Sequence, residues 1–555
     1  MADLLFIEPI VQVLVIIGFS YGLLLQAWKL VRWYLLEYHS GIPEINNLRK
    51  TRSLEHKLDG TAVICGGSIA GLLAARICSD FYKHVIIVEP EEWLCDEDGM
   101  RRFGWEQKHK RTRVLQYRVF HSFLVLFYRG LGELFPDLEE QCRYSGIEIV
   151  PANRNMNMSG TPIFPPLRKY GGDLPKTLRC TRGSLETLLR RLVLGRSNYP
   201  NIQQMVGTVI GVSSRSGDPS CISHVKVRKP DMGIEELDAS LVVDCTGMTR
   251  AGVKWLSQAG YGTKTHPKSL QDARLSFNQK LQYSALECTV SPETLSKIPI
   301  PALETGFADD GVEYGRRLFG IGRMDGNRVL LVAGQSSDET VKYESIAAMR
   351  ELVQDLKIYK DPMPRWVVEA LDILEESEPQ LSFTHVFCPP TTYIKYHEVG
   401  NIPSNFVAIG DSAMSVDPLY GQGCTKALLG AVVLHNALYS VATHMKLPGD
   451  FSKKFFKDNF HKTDRFWQLT RILDISYQGT SRILDYEIPC TIPIPGEDLQ
   501  SGGSIRWYLR RLLILATKDE QAAEVAWEGS MVLGTPIDLF HPWIVLKIIF
   551  NTFMA

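Results

Sequence analysis

The run Gly66-Gly67-Ser68-Ile69-Ala70-Gly71 is a variant of the G-x-G-x-x-G phosphate-binding turn. A short apolar stretch, 62–65, precedes it, and a helical pattern over 72–81 follows. The first glycine permits a tight exit from a strand, and the last lets the helix pack closely on the sheet. The helix start then turns free N–H groups and a positive dipole end toward a pyrophosphate. Ser68 stands where the pattern has its middle glycine and is small enough to let a phosphate approach. A second apolar strand, 85–88, ends in Glu89, about 20 residues on, where an acid accepts hydrogen bonds from ribose hydroxyls. The chemistry is dinucleotide binding. Gly66-x-Ser68-x-Ala70 also has the outline of a nucleophile elbow. That hydrolase reading leaves Gly71 and Glu89 without a role, and no Asp-then-His pair follows in a recognisable context.

A second signature lies far downstream. An apolar strand, 406–409, ends in Gly410-Asp411, and Pro418-Leu419-Tyr420-Gly421-Gln422-Gly423 leads into a long apolar helix near 424–442. Asp411 is placed to accept from a sugar-chain hydroxyl. The amides of Gly421, Gln422, Gly423 and Cys424, at a helix start, suit an electron-rich carbonyl edge. Gly-Asp alone is a common strand-end turn; the upstream motif makes it half of a site.

The elements that must position these residues follow from pattern and composition. The 555 residues are 45% hydrophobic and 22% charged, which is ordinary for a globular chain with room for two or three domains. A net charge of −1 gives no reason to expect nucleic acid as a partner. Eleven scattered cysteines without a CxxC pair suit a reducing compartment, and no metal-ligand spacing is present. Further strands are expected at 241–243 and 329–332, and helices near 184–194 and 342–357. The basic run 108–113 reads as a solvated loop.

Residues 9–27 carry no charge and nearly match the roughly 20 residues needed to cross a bilayer. Asp3 and Glu8 precede them and Lys29 and Arg32 follow, so a transmembrane helix with the body facing the cytosol is expected. In a eukaryote the endoplasmic reticulum would be its membrane. A cleaved signal would want positive charge first and small residues after, and has neither. A buried or interfacial N-terminal helix is the alternative, since Gln12 and Gln26 interrupt the run. At the other end, 504–518 mixes Arg and Lys with Trp, Tyr and Leu. It reads either as an interfacial helix or as one packed on the body by its apolar side. The stretch 541–553 is apolar but too short to span.

Five motifs in order resemble the class A flavin monooxygenases, with the fold of para-hydroxybenzoate hydroxylase. Among these the chain is most similar to the polyether epoxidases of the lasalocid epoxidase type and related fungal enzymes. Gly66 to Ile77 matches the family's GGSxAGLLAARVL. Gln116 and His121, then Leu134-Phe135-Pro136-Asp137-Leu138, echo GVPQxxHxHxLL…LFPGL, with Leu115 in place of the proline. Thr181-Arg182-Gly183-Ser184-Leu185-Glu186 echoes SRxxLE. Asp244-Cys245-Thr246-Gly247 echoes DATG, and Gly410-Asp411 with Pro418 to Gly423 echoes GDA…NPxYGQG.

The resemblance implies an α/β fold: a Rossmann-type FAD-binding domain with an interleaved α+β substrate domain, behind the N-terminal helix. The expected division is an anchor at 1–40, a linker at 41–60, FAD-binding parts at 61–262 and 401–445, a substrate sheet at 263–400 and a helical region at 446–555. FAD would meet Gly66, Gly67, Ser68, Ala70, Gly71, Glu89, Gln116, Arg182, Asp244, Gly247, Gly410, Asp411, Pro418, Gly421, Gln422, Gly423 and Cys424. Arg182, Gln116 and His121 each also have a purely structural use, as do Tyr283 and Tyr393 at the pocket. The implied reaction inserts one oxygen of O2 into an apolar polyene, terpenoid or polyketide-like substrate, through a flavin C4a-hydroperoxide with NAD(P)H as reductant. Because that chemistry belongs to the cofactor, no acid–base triad is required. Prenyl double-bond reductases share the fold, as do halogenases, whose W-x-W-x-I-P segment is absent here. A catalytically silent membrane flavoprotein is a reading from another class.

Overall fold

The computed structural model describes residues 2–553, except 118, 120, 159, 196–197, 216–217, 264–266, 301–302, 310–315, 338, 359–361, 442–445, 475–491 and 494–502; of residues 2–10 and 492–493 it describes the backbone only. Its centre is a five-stranded parallel sheet. Strands β1 (Leu58–Cys65), β2 (Tyr82–Glu89), β3 (Ile202–Val206) and β4 (Leu241–Asp244) are joined by β10 (Phe406–Ala408), in the order β10-β4-β1-β2-β3. A parallel sheet is covered on both faces, so its strands read as unbroken apolar runs. The end of β1, Ala62-Val63-Ile64-Cys65, is fully buried. Helix α2 (Ile69–Phe81) links β1 to β2 and is buried on almost every side, with Arg76 and Asp80 paired at 2.7 Å inside the core. The physical reason for the short turn at Gly66 is steric. Gly66 has φ +111°, and a Cβ there would lie 2.5 Å from the Cys245 carbonyl oxygen. A Cβ on Gly71 would lie 1.8 Å from the Gly66 carbonyl oxygen.

Helix α3 (Arg182–Leu194) packs on α2, its start capped by the Thr181 side chain. Between β4 and β10 the chain builds an antiparallel sheet: β5 (Leu281–Thr289), β6 (Glu304–Ala308), β7 (Arg317–Met324), β8 (Arg328–Ser336) and β9 (Gln380–Phe387), in the order β6-β7-β8-β5-β9. Side chains alternate across it with period two. Leu286, Cys288, Val329 and Leu331 face helices α4 (Ile346–Asp355) and α5 (Arg365–Glu376). Leu281, Tyr283, Ala285, Leu330 and Val332 face the other way and pack with Val119 and Leu419.

Helix α6 (Gly423–Ser440) is apolar around most of its circumference and is correspondingly buried, packed between α2 and α7 (Phe451–Asp474). Three C-terminal helices follow: α8 (Gly503–Ala516), α9 (Glu520–Ser530) and α10 (Pro542–Phe553). The apolar side of α8 is turned inward, with Tyr508, Leu512 and Leu515 packed on α9 and α10. Its outer side keeps Ile505 and Trp507 exposed. Helix α1 (Ala2–His39) is continuous. It is attached to the body by its last turns: Trp28 Nε1 donates to the Ile537 carbonyl at 2.9 Å, and Arg32 pairs with Asp538 at 2.6 Å. Residues 11–20 are all exposed, and Val11–His39 is long and apolar enough to cross a membrane. The stretch 41–60 lies against the body, with Ile45 and Leu48 buried in the main core.

Close packing at the turn gives a stability test. Gly71→Ala drives a methyl into backbone, an overpacking worth about 1–3 kcal/mol, and is expected to lower the thermal midpoint. Gly449→Ala, where nothing lies within 4 Å of the added carbon, is expected to leave it unchanged.

Candidate functional site

Strand register assembles the site. Cys65 pairs with Asp244 and Asp244 with Ala408, while Cys65 lies opposite Val88. The carboxyl ends of β1, β2, β4 and β10 are therefore level, and the segments that follow them converge. Ligands of open α/β sheets bind at this edge. A Cβ added to Gly410 would lie 3.2 Å from the Ala70 Cβ, so the two glycine-bearing turns touch. Gly247 N–H donates to Ser412 Oγ at 2.9 Å and ties the third loop to them.

These loops line a cavity, partly open to solvent, of about 120 Å³. Ser68, Ala70, Gln116, Arg182, Gly247, Gly410, Asp411, Pro418, Gly421, Gly423 and Cys424 all line it. His121, Ser122 and Met248 complete the polar and flexible part of the wall. Gly421, at φ +66°, ends the Pro418–Tyr420 turn, and a Cβ there would press to 2.9 Å from Ser122. The chain then enters α6, whose first amides lie at the cavity wall.

The other expected residues stand behind the wall. Asp244 is fully buried and accepts from Thr246 N–H (2.9 Å), Thr246 Oγ1 (2.7 Å) and Gly252 N–H (3.0 Å). It shapes the turn that carries Gly247, and burial raises its pKa. Gly66 and Gly71 form the tight turn. Gln422 is buried, and its Oε1 has no hydrogen-bond partner among the described residues. Gly67 N–H donates to Glu89 Oε2 at 2.8 Å. Both oxygens of Glu89 also lie 3.2 Å from Arg111 Nη2, and the Glu91 N–H reaches Oε1 at 3.1 Å. In this conformation Glu89 faces protein, and a ribose reaches it only where Arg111 yields. Tyr393 packs on Trp467 in the core, away from the cavity. Tyr283 lies on the inner face of the antiparallel sheet, with Gln116 within hydrogen-bonding reach.

Two charge networks went unread in the sequence. The basic run 108–113 is not wholly a solvated loop: Arg111 is only 8% exposed and binds Glu89, Glu91 and Glu186. Arg190 donates to the Gly67 carbonyl at 2.7 Å, and Ser68 Oγ to Glu186 at 2.7 Å. Burial pushes the Glu186 pKa up, but Arg111, Arg190 and Arg182 together hold it below the usual range. The second network is Lys426 of α6, whose Nζ lies 2.6 Å from Asp411 Oδ1 and also donates to the Met414 carbonyl. A lysine in an apolar helix invites a surface reading; its burial becomes apparent only when α6 is known to be enclosed. Burial lowers the Lys426 pKa. Burial alone would raise that of Asp411, and the Lys426 ammonium outweighs it, leaving the carboxyl below its usual value.

His121 Nδ1 contacts the Val119 carbonyl at 2.9 Å, and Arg182 Nη1 lies 3.4 Å from Nε2. A neutral ring donating from Nδ1 and accepting at Nε2 satisfies both. Burial, with the Arg182 charge beside it, pushes its pKa down to about 3. Arg182 Nη2 reaches Ser68 Oγ at 3.2 Å, while its buried Nε has no hydrogen-bond partner among the described residues.

The site can be tested against a flavin dinucleotide on its own features. The glycine cradle is closed to side chains, and α2 and α6 both start at the cavity. Arg182 presents a cation and Asp411 an acceptor about one-third exposed. The donor set fits a pyrophosphate, a polyhydroxyl chain and a carbonyl-rich ring edge.

No family model matches the sequence. The chain is 25% identical over 428 residues to Protein Rv3254 of Mycobacterium tuberculosis, covering 75% of this chain and 80% of that protein. Among solved structures it is similar to the p-nitrophenol 4-monooxygenase PnpA of Pseudomonas putida DLL-E4, with TM-score 0.51, 13% identity and coverage of 86% and 99% of the two chains. It is also similar to the flavin-dependent brominase Bmp2, with TM-score 0.50, 14% identity and coverage of 85% and 98%. A third likeness is to the flavin-dependent halogenase CmlS, with TM-score 0.50, 15% identity and coverage of 86% and 77%. At these identities the likeness is one of fold: a mixed α/β architecture around a parallel sheet, of the type used by flavin-dependent monooxygenases and halogenases.

The Asp411–Lys426 pair is asymmetric, and its variants should show it. Asp411→Ala strands a buried ammonium and is expected to cost about 3 kcal/mol or more. Lys426→Met should cost less, because Asp411 faces the cavity and can be hydrated. The double variant should recover part of the loss in thermal unfolding at neutral pH. Since Asp411 has a depressed pKa, its contribution is complete above about pH 4 and is lost as acid titrates the folded carboxyl; that acid limb should disappear in Asp411→Ala.

Proposed function

We propose that this protein is an FAD-dependent monooxygenase that inserts one oxygen atom of O2 into an apolar organic substrate, with NAD(P)H as reductant. The observation that carries the reading is convergence: glycine-rich segments from opposite ends of the chain line one cavity at the carboxyl edge of the parallel sheet. Of the readings above, a dinucleotide uses all of these features at once. The motif resemblance supports the epoxidase branch and a polyene, terpenoid or polyketide-like substrate, by epoxidation or hydroxylation.

In this reading Ser68, Ala70 and the start of α2 hold the pyrophosphate, with Arg182 supplying positive charge. Asp411 accepts from the ribityl hydroxyls, and Lys426 keeps it ionised. The amides around Gly421 to Cys424 hold the ring edge and, with the dipole of α6, stabilise negative charge there. Reduced flavin supplies the oxygen-activating chemistry when bound. His121, neutral and fixed between Val119 and Arg182, presents no exchangeable positive charge to the cavity. The apolar inner face of the antiparallel sheet, whose Tyr283 is within reach of the cavity residue Gln116, would supply the substrate side and shield an electrophilic oxygen transfer from water. No two of the ten tryptophans lie two positions apart, which favours oxygenation over halogenation.

Helix α1 spans a membrane in this proposal, with the body on the cytosolic side. An apolar, bilayer-partitioned substrate would suit that placement.

Purified protein is expected to be yellow, with near-stoichiometric flavin absorbance, and Glu89→Ala, Arg182→Ala or Asp411→Ala to reduce flavin content. A folded, colourless wild type would refute the reading. Membranes given candidate polyenes or terpenes with NAD(P)H under isotope-labelled dioxygen should yield a product carrying one labelled oxygen. Reduced product without label would identify a double-bond reductase instead. The full chain should also stay in the membrane pellet after alkaline carbonate; release into the supernatant would remove the spanning assignment.

A further inference from the structure

The last helix, α10, is amphipathic in an unusual sense. Its inner side buries Pro542, Ile544 and Ile548 against α8 and α9. Its outer side carries Trp543, Leu546, Ile549, Phe550 and Phe553, all exposed, with Phe550 at 63% and Phe553 at 84%. Spacings of three and four put them on one stripe about three turns long. A helix facing water carries charged and polar residues there. The one cation of α10, Lys547, is turned to Asp519 at 2.7 Å.

The stripe has a defined neighbour. His541, just before α10, packs edge-on against Trp28 of α1 with ring centroids 4.6 Å apart, and α10 itself packs against α1. On α1 from 11 to 28 the partly covered positions are Tyr21, Gly22, Leu25 and Trp28, one helical face, while the others are exposed. Seven residues separate Tyr21 from Trp28, about 10 Å of helix. A bilayer that holds the apolar run of α1 therefore lies level with α10. At 12 residues α10 is about 18 Å long, too short for a hydrocarbon core of about 30 Å. It can lie within one leaflet, where such helices sit about 5–10 Å deep. On α8, which packs against α10, the exposed Trp507 and Ile505, with Arg511 beside the Trp507 ring, are aromatic and cationic groups suited to headgroups.

We propose that α10 is a second, non-spanning membrane contact whose Trp543, Leu546, Ile549, Phe550 and Phe553 face enters the leaflet nearest the body, beside α1. This rests on the reading of α1 as a spanning helix. One spanning helix leaves the body free to swing about it; two contacts fix its tilt and depth.

The test uses the full chain reconstituted in phosphatidylcholine vesicles containing a phospholipid with a carbene-generating acyl chain, followed by peptide mapping of the label. Label is expected on α1 and on the peptide 542–553, but not on β9, whose Leu381, Phe383 and Phe387 are exposed elsewhere. Leu546→Asp with Phe550→Asp, at exposed positions that leave the fold intact, should abolish label on α10 and preserve it on α1. Label on α1 alone overturns the proposal and leaves the spanning helix standing. Label on neither removes the spanning helix and this proposal with it. Equal label on β9 and α10 overturns it as indiscriminate adsorption. An unlabelled α10 that cross-links to a second copy overturns it in favour of a protein interface.

Discussion

The structure depends on a short run of parallel backbone pairing. Cys65, Asp244 and Ala408 stand side by side on adjacent strands, and each is the last or nearly the last residue before the chain turns. Because the side-chain period of a strand is two, a slip of one position would turn buried residues outward and move each following turn out of line. The register is secured by burial on both faces, which leaves a displaced strand nowhere to put its polar backbone. Once the strand ends are level, the turns at Gly66, Gly247 and Gly410 must meet.

Beneath that edge the protein commits several charges to the interior. Arg111 and Arg190 share Glu186, Arg111 also holds Glu89 and Glu91, and Lys426 holds Asp411. Buried ions are tolerated only when each is paired and hydrogen-bonded. Here the pairs support the turns: Arg190 binds the Gly67 carbonyl, Glu89 the Gly67 amide, and Lys426 both Asp411 and the Met414 carbonyl. The glycine turn is thus clamped from behind while its front stays open.

The periphery obeys a different constraint. Helix α1 leaves the body at Trp28 and carries exposed apolar residues outward, and α10 lies against it with a second exposed apolar stripe. Apart from three on the edge strand β9, large exposed apolar side chains elsewhere are scattered, as on any protein surface. Their concentration on two adjacent helices gives the molecule a face that water does not suit.

Local pattern by itself determined the β1–turn–α2–β2 unit, because the apolar run, the glycines and the acid are all set within about thirty residues. It also determined the strand leading to Asp411, the helix following Gly423, and the apolar length of α1. The wider α/β fold class came instead from the resemblance carried by five motifs spread along the chain. What tertiary structure decided was orientation and pairing. It placed Arg111 inside rather than in a solvated loop, turned the apolar side of α8 into the body, and left that of α10 outside. It put Lys426 beside Asp411 and gave Glu89 to Arg111. Such outcomes depend on which groups from distant segments come to face one another, and side-chain desolvation is a property of that enclosure. A residue type states what charge can be carried; only the packed chain settles what stands opposite it.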